Sequence, residues 1–207
     1  SKLPDLKLVL IAGPSSAGKT TFTKRLQIQL KVNGIKPIVI EMDDYFLAPH
    51  EIAKDEYGNY DFDSPNALNI PLLTEHLNIL MNGGEVELPK YNFQKKRSER
   101  SGRFVKLEEG NLLVMEGIHA LNPQLTPEIP GYMKYHIFVS ALTHLNLDNQ
   151  NRVPTTDARL IRRMVRDSIF RGHGVLDSIR QWPSVRRAED LYIFPTQERA
   201  DAMFNSA

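Results

Sequence analysis

Cysteine is absent from this chain of 207 residues, which excludes disulfides and thiolate metal sites and fits a reducing compartment. No uninterrupted apolar run approaches the roughly 20 residues that a membrane-spanning helix needs. No signal-like segment opens the chain either, because Ser1-Lys2-Leu3-Pro4-Asp5 leads almost at once into a predicted strand. An excess of one charge is missing too. Lys and Arg number 26 and Asp and Glu 25, a formal net charge of +1 that calls for neither nucleic acid nor an anionic membrane as partner. Internal repeats and low-complexity tracts are lacking, and the six histidines show no metal-ligand spacing. His76 and His136 are expected at surfaces or core edges, and Trp182 as a packing residue. The expected location is cytoplasmic. With 41% hydrophobic and 25% charged residues, the composition is that of an ordinary globular domain. Both ends read as cut, so the expectation is one domain over 1–207, excised from a longer chain.

The pattern of elements is α/β. Leu6 to Ala12 is a short, nearly continuous apolar run, as in a strand buried on both faces of a parallel sheet. A helix is predicted from Lys19 to about Asn33, with Phe22, Leu26 and Leu30 on one face and Gly34 as its stop. Pro37 to Glu41 follows as a second strand, completing a strand–helix–strand unit of the kind that is almost always right-handed. Residues 59–71 are rich in turn formers. Leu72, Leu73, Leu77 and Leu80 then suggest a helix ending at Gly83-Gly84, and 85–106 reads as a projecting hairpin or loop. Leu112 to Met115 and Tyr135 to Val139 are further strands, with 143–154 a loop. Helices are predicted over 157–171 and 184–192, and a last strand at 202–204. The alternation implies a mostly parallel sheet with helices on both faces.

Between the first strand and first helix stands Gly13-Pro14-Ser15-Ser16-Ala17-Gly18-Lys19-Thr20, a match to the G-x-x-x-x-G-K-[ST] phosphate cradle. Four fixed positions match by chance on the order of once in a hundred chains of this length, and the flanking strand and helix make an ordinary Gly-rich turn a poorer explanation. In such a loop, inward backbone N–H groups and a helix N-terminus bind phosphate oxygens. Gly13, Ser15, Ser16, Ala17, Gly18, Lys19, Thr20 and Thr21 are the expected nucleotide-binding residues, with Lys19 reaching the β- and γ-phosphates and Thr20 ligating Mg²⁺. ATP and Mg²⁺ are the expected cofactors. No Asn-Lys-x-Asp guanine-reading motif is present.

Ligands of parallel sheets sit beyond the carboxyl ends of the strands, where this chain has acids. Asp43 is placed to accept the proton of an attacking hydroxyl, and Glu116 to hold Mg²⁺ through water; Gly117 would leave room for substrate. Asp43 and Asp44 also suit a turn or helix cap. Arg159, Arg162, Arg163, Arg166 and Arg171 crowd one predicted helix, and several share a face. Their mutual repulsion makes sense beside transferring phosphate, in a closing lid hinged at Val153-Pro154 and at 171–174. A solvated basic face is the plainer alternative.

Taken together, these residues resemble the uridine kinase and phosphoribulokinase family, and more closely its uridine–cytidine kinase branch. The resemblance covers nearly the whole chain. It rests on the cradle, Met42-Asp43-Asp44-Tyr45-Phe46, Tyr60 to Pro65, Pro89-Lys90-Tyr91-Asn92-Phe93, Val114-Met115-Glu116-Gly117-Ile118 and Arg162 to Asp167 with Arg171-Gly172. It implies a P-loop kinase with an arginine-bearing lid, transferring the γ-phosphoryl group of ATP to a hydroxyl of a nucleoside-like acceptor. Asp43, with Lys19, Arg166 and Arg171, is implied in catalysis. Asp63, Tyr91, Arg163, Arg166 and Gln181 are implied at the acceptor. A small-molecule partner, room for a homo-oligomer and additional domains in a longer chain belong to the same reading. The chain departs from the pattern at Lys96, where uridine kinases carry a base-reading histidine, at Asn92, which replaces an aspartate, and at His173, where they carry a second lid arginine. Residues 145–152 look like an insertion. Lys96 opens the alternative of an acidic or phosphorylated acceptor such as a sugar phosphate. An ATP-binding regulatory module without transfer activity is the rival from another class.

Overall fold

A computed structural model of the chain describes residues 5–142, 148–172 and 174–207. Five parallel strands form its main sheet: β1 (Leu8–Ala12), β2 (Lys36–Glu41), β5 (Asn111–Glu116), β6 (Lys134–Ser140) and β7 (Ala202–Asn205), in the order β2-β5-β1-β6-β7. β1 is central and every one of its residues is buried, which is why it reads as unbroken apolar text rather than alternating. Its side chains divide between two layers. Val9 and Ile11 join Val114, Ile137 and Val139 under α1 (Lys19–Val32), whose Phe22, Leu26 and Leu30 pack on that face. Leu8 and Leu10 point the other way, into a larger cluster with Met115, Phe138 and the buried face of α2 (Ile70–Met81): Leu73, Leu77 and Leu80.

Several boundaries move from their predicted places for local reasons. α2 starts two residues before Leu72 because the Asn69 side chain accepts the Leu72 N–H at 3.2 Å and Pro71 sits in the first turn, where its missing N–H costs nothing. The charged stretch forms the antiparallel hairpin β3 (Glu85–Asn92) and β4 (Arg97–Lys106), with its register shifting between Leu88 and Pro89. The arginine-bearing helix α3 spans Thr155–Arg166 and widens into a π turn over Asp167–Arg171. A helix predicted to start at Ser184 begins nine residues earlier: α4 covers Val175–Ala188 with Pro183 inside it, then a π turn over Glu189–Ile193. Local propensity argues against Pro183 in a helix, but Ser178, Val185 and Ala188 are buried and that packing decides the matter. The predicted loop at 143–154 lies partly outside the described residues, as does His173.

Candidate active site

The loop after β1 is held in shape by contacts that a longer side chain would destroy. A Cβ on Gly13, at φ +152°, would lie 2.1 Å from the Val139 carbonyl oxygen, so only glycine passes β6 there. Ser16 adopts a left-handed φ of 59°, an uncommon backbone state for a non-glycine residue, and its buried hydroxyl has no partner among the described residues. The Lys19 Nζ donates to the carbonyls of Gly13 at 3.0 Å and Pro14 at 3.3 Å, folded across the loop it would serve. Burial pushes the Lys19 ammonium below its ordinary value, while Glu116 and Asp43 oppose the shift. Thr21 is exposed at the start of α1.

Next to the cradle, the Thr20 hydroxyl donates to Glu116 Oε1 at 2.7 Å. Glu116 Oε2 is buried with no hydrogen-bond partner among the described residues. Desolvation raises the Glu116 carboxyl, partly offset by Lys19 and the Thr20 hydrogen bond. An orphaned carboxylate oxygen beside a hydroxyl at the mouth of a phosphate loop is a donor set for a hard divalent cation. Ser16 and Lys19 complete surroundings suited to bound phosphate.

Asp43 lies on the 3₁₀ turn Met42–Tyr45 that follows β2. β2 and β5 pair in parallel with Glu41 opposite Glu116, so both strands deliver their acids to one edge. Gly117 matters there for a reason other than the one expected. A Cβ on it would meet the Met42 side chain at 2.6 Å, so the missing side chain makes room for Met42, not substrate, and seats the Asp43 turn against β5. The two aspartates part company. Asp44 Oδ1 accepts the Tyr91 N–H at 3.0 Å and pairs with Lys90 at 3.2 Å, anchoring the hairpin. Asp43 Oδ2 pairs with Arg171, 3.3 Å away.

The arginines also divide. Arg159, 1% exposed, is clamped by Glu189 through two hydrogen bonds, one of them 2.7 Å, and its NH1 also donates to the Ser15 carbonyl at 3.3 Å. It ties α3 to the cradle and to the end of α4. Arg163 NH1 donates to the Ser15 hydroxyl at 3.0 Å and NH2 to Gln181 Oε1 at 3.4 Å. Arg166 pairs with Asp167 at 2.7 Å, and burial and Arg171 depress its guanidinium. Arg171 lies over the Phe93 ring, 4.6 Å from its centroid. A plain solvated face does not describe Arg159 or Arg163.

Asp63 is pushed up by burial and held back first by Arg163. Phe62, next to it in sequence, belongs to a chain of edge-on aromatic contacts that no spacing in the sequence assembles. Tyr60 meets Phe62, Phe62 meets Phe46, Phe46 meets Tyr91, and Tyr91 meets Phe93, with centroids 5.1 to 6.4 Å apart. The repeated aromatic-x-aromatic triplets at 60–62 and 91–93 are its only sequence signal. Lys96 sits at the exposed hairpin turn at φ 52°, and among the described residues no hydrogen bond or ion pair links it to Asp43, Asp63, Tyr91 or the arginines.

The sequence profile described as the Phosphoribulokinase / Uridine kinase family matches residues 8–207. The uridine kinase of Halalkalibacterium halodurans is 30% identical over 197 residues, which is 95% of this chain and 84% of that protein. Among solved structures, a possible uridine kinase from Bacillus stearothermophilus superposes with a TM-score of 0.63 at 21% identity, covering 99% of this chain and 91% of that one. Phosphoribulokinase from Rhodobacter spheroides gives 0.59 at 15% identity, covering 97% and 69%. The fold is that of the P-loop kinases.

Proposed function

The chain belongs to the phosphoribulokinase / uridine kinase family, a phosphotransferase family acting on alcohol groups with a nucleoside triphosphate and a metal, and from that premise we propose that it phosphorylates a hydroxyl of a nucleoside-like acceptor with Mg-ATP. The observation that carries the acceptor class is the aromatic chain from Tyr60 to Phe93, which includes Phe62, next in sequence to Asp63, and ends at the ring under Arg171, the partner of Asp43. It offers a flat planar molecule an apolar wall and its hydroxyls two carboxylates, which suits a nucleoside better than a sugar phosphate. The exposed Lys96 adds nothing to that wall.

Thr20 and Glu116 would hold Mg²⁺, which when bound spreads and neutralises charge on the phosphate oxygens. The rest falls to the chain. Backbone N–H groups of 15–19 and the Lys19 ammonium hold the phosphates. Asp63 orients the acceptor. Asp43 exchanges Arg171 for the acceptor hydroxyl and takes its proton as that oxygen bonds to the γ-phosphorus. The bond from the γ-phosphorus to the bridging oxygen breaks, and ADP leaves. Arg171, released from Asp43, and Arg166 face the charge that develops. Because the transition state is loose, positioning and charge count for more than the basicity of Asp43.

ADP release by purified protein with Mg-ATP across nucleosides, sugar phosphates and small alcohols tests the proposal. Uridine or cytidine should stimulate release, and Asp43→Asn should cut it by roughly 10²-fold or more. Stimulation by sugar phosphates alone overturns the acceptor class, and full turnover in Asp43→Asn overturns the role of Asp43.

A further inference from the structure

His119 lies three residues past Glu116 on the segment leaving β5, and the chemistry above leaves it unused. Its side chain is among the most buried polar groups of the protein, 1% exposed, yet among the described residues neither Nδ1 nor Nε2 has a hydrogen-bond partner of full geometry. A neutral imidazole carries one donor and one acceptor, and burying both unpaired is costly. Apolar side chains of similar volume would fill the same space without that cost, so the ring stands out as a place where stability yields to something else.

Its surroundings indicate what. The main chain of Asp63 and Ser64 lies within hydrogen-bonding reach of the ring and, with Asp43, favours its protonated form against Lys19 and burial, though no contact reaches full hydrogen-bond geometry among the described residues. Tyr192 packs edge-on at 6.3 Å from the other element bordering this space. The turn holding Asp63 is itself closed by the Ser64 N–H donating to Asp61 and the Ala67 N–H to Ser64, so it can shift as a unit.

We propose that His119 is a positioning residue for the phosphoryl acceptor: its ring N–H engages the main chain of the Asp63–Ser64 turn when the acceptor binds Asp63, fixing that turn at the distance in-line attack requires. This deepens the acceptor reading above and rests on it. The two nitrogens idle in the free protein are then a cost carried so that acceptor binding can relieve part of it.

The test compares wild type, His119→Leu and His119→Gln with uridine as probe acceptor, following kcat and KM for uridine and for Mg-ATP together with melting temperature. His119→Leu should melt no lower than wild type and keep its KM for ATP. Its kcat/KM for uridine should fall by about tenfold or more, mainly through KM, the scale of one lost hydrogen bond to a bound group. His119→Gln, which can still donate, should recover part of that loss. An unchanged kcat/KM for uridine in His119→Leu overturns the proposal and leaves the kinase reading standing. So does a His119→Leu protein that unfolds or loses both substrates alike, since the ring would then be a structural support. Failure of wild type to turn over any nucleoside overturns the acceptor reading and this inference with it.

Discussion

At the residue scale, the site is a set of side chains whose charges are kept in check by burial and by each other. Lys19 and Glu116 are each shifted toward neutrality by desolvation and each restored in part by the other, so substituting one leaves the other exposed to the full effect. At His119 burial outweighs the opposing pull of the Asp63 and Ser64 main chain and of Asp43, and holds the imidazole down at about 4. The consequence for stability has a definite sign. Above the unfolded value of about 6.5 both states are neutral and nothing is lost. As pH falls from there toward 4 the unfolded chain takes up a proton that the folded one refuses, so stability falls. The full difference amounts to roughly 3 kcal/mol. Urea midpoints measured from pH 7 to pH 4.5 should decline for wild type and decline less for His119→Leu.

At the element scale, the contact between α3 and the end of α4 is the feature that decides where the cradle sits. Arg159 reaches from α3 to Glu189, which is fully buried and also accepts from Arg186 at 2.6 Å, while the same guanidinium holds the Ser15 carbonyl. Removing one member of a buried ion pair strands its partner, at about 3–5 kcal/mol. Glu189→Ala should therefore lower the unfolding free energy on that scale in chemical denaturation. The sequence placed Arg159 on a phosphate-facing helix, and in the structure it is committed to Glu189 instead. Nothing in the spacing of arginines could separate it from Arg163, one turn away, because the distinction lies in which acid a distant helix presents. The start of α4 was hidden likewise, since Pro183 reads as a break in the helical spacing of Val175, Ile179 and Trp182, and the burial of Ser178, Val185 and Ala188 on either side of it is not written in the sequence.

At the scale of the whole molecule, the cradle is where separate parts of the chain meet. β1 delivers it, β5 delivers Glu116 to Thr20, α3 delivers Arg159 and Arg163 to Ser15, and the Ser206 hydroxyl, just past β7, donates to the Ala17 carbonyl. Phosphate bound here therefore restrains the ends of several elements at once. Mg-ATP at about 100 times its dissociation constant should stabilise the fold by about 2.7 kcal/mol, a rise in melting temperature of roughly 5–10 °C for a chain of this size. Lys19→Ala should remove most of that rise, as read by thermal denaturation with and without nucleotide.

The parallel sheet, its two-sided core and the phosphate cradle were legible in the sequence because each is a local pattern: an apolar run, a 3.6-residue stripe, and a glycine spacing imposed by backbone geometry. The acids at the ends of β2 and β5 could be found for the same reason, as strand register carries them to one edge. The aromatic chain, the division of labour between Asp43 and Asp44, the diversion of Arg159 to Glu189 and the unpaired ring of His119 were decided by tertiary structure alone. Each depends on which groups from remote segments share a low-dielectric space, where a single missing or added partner changes charge, orientation and cost, and no spacing along one chain records that.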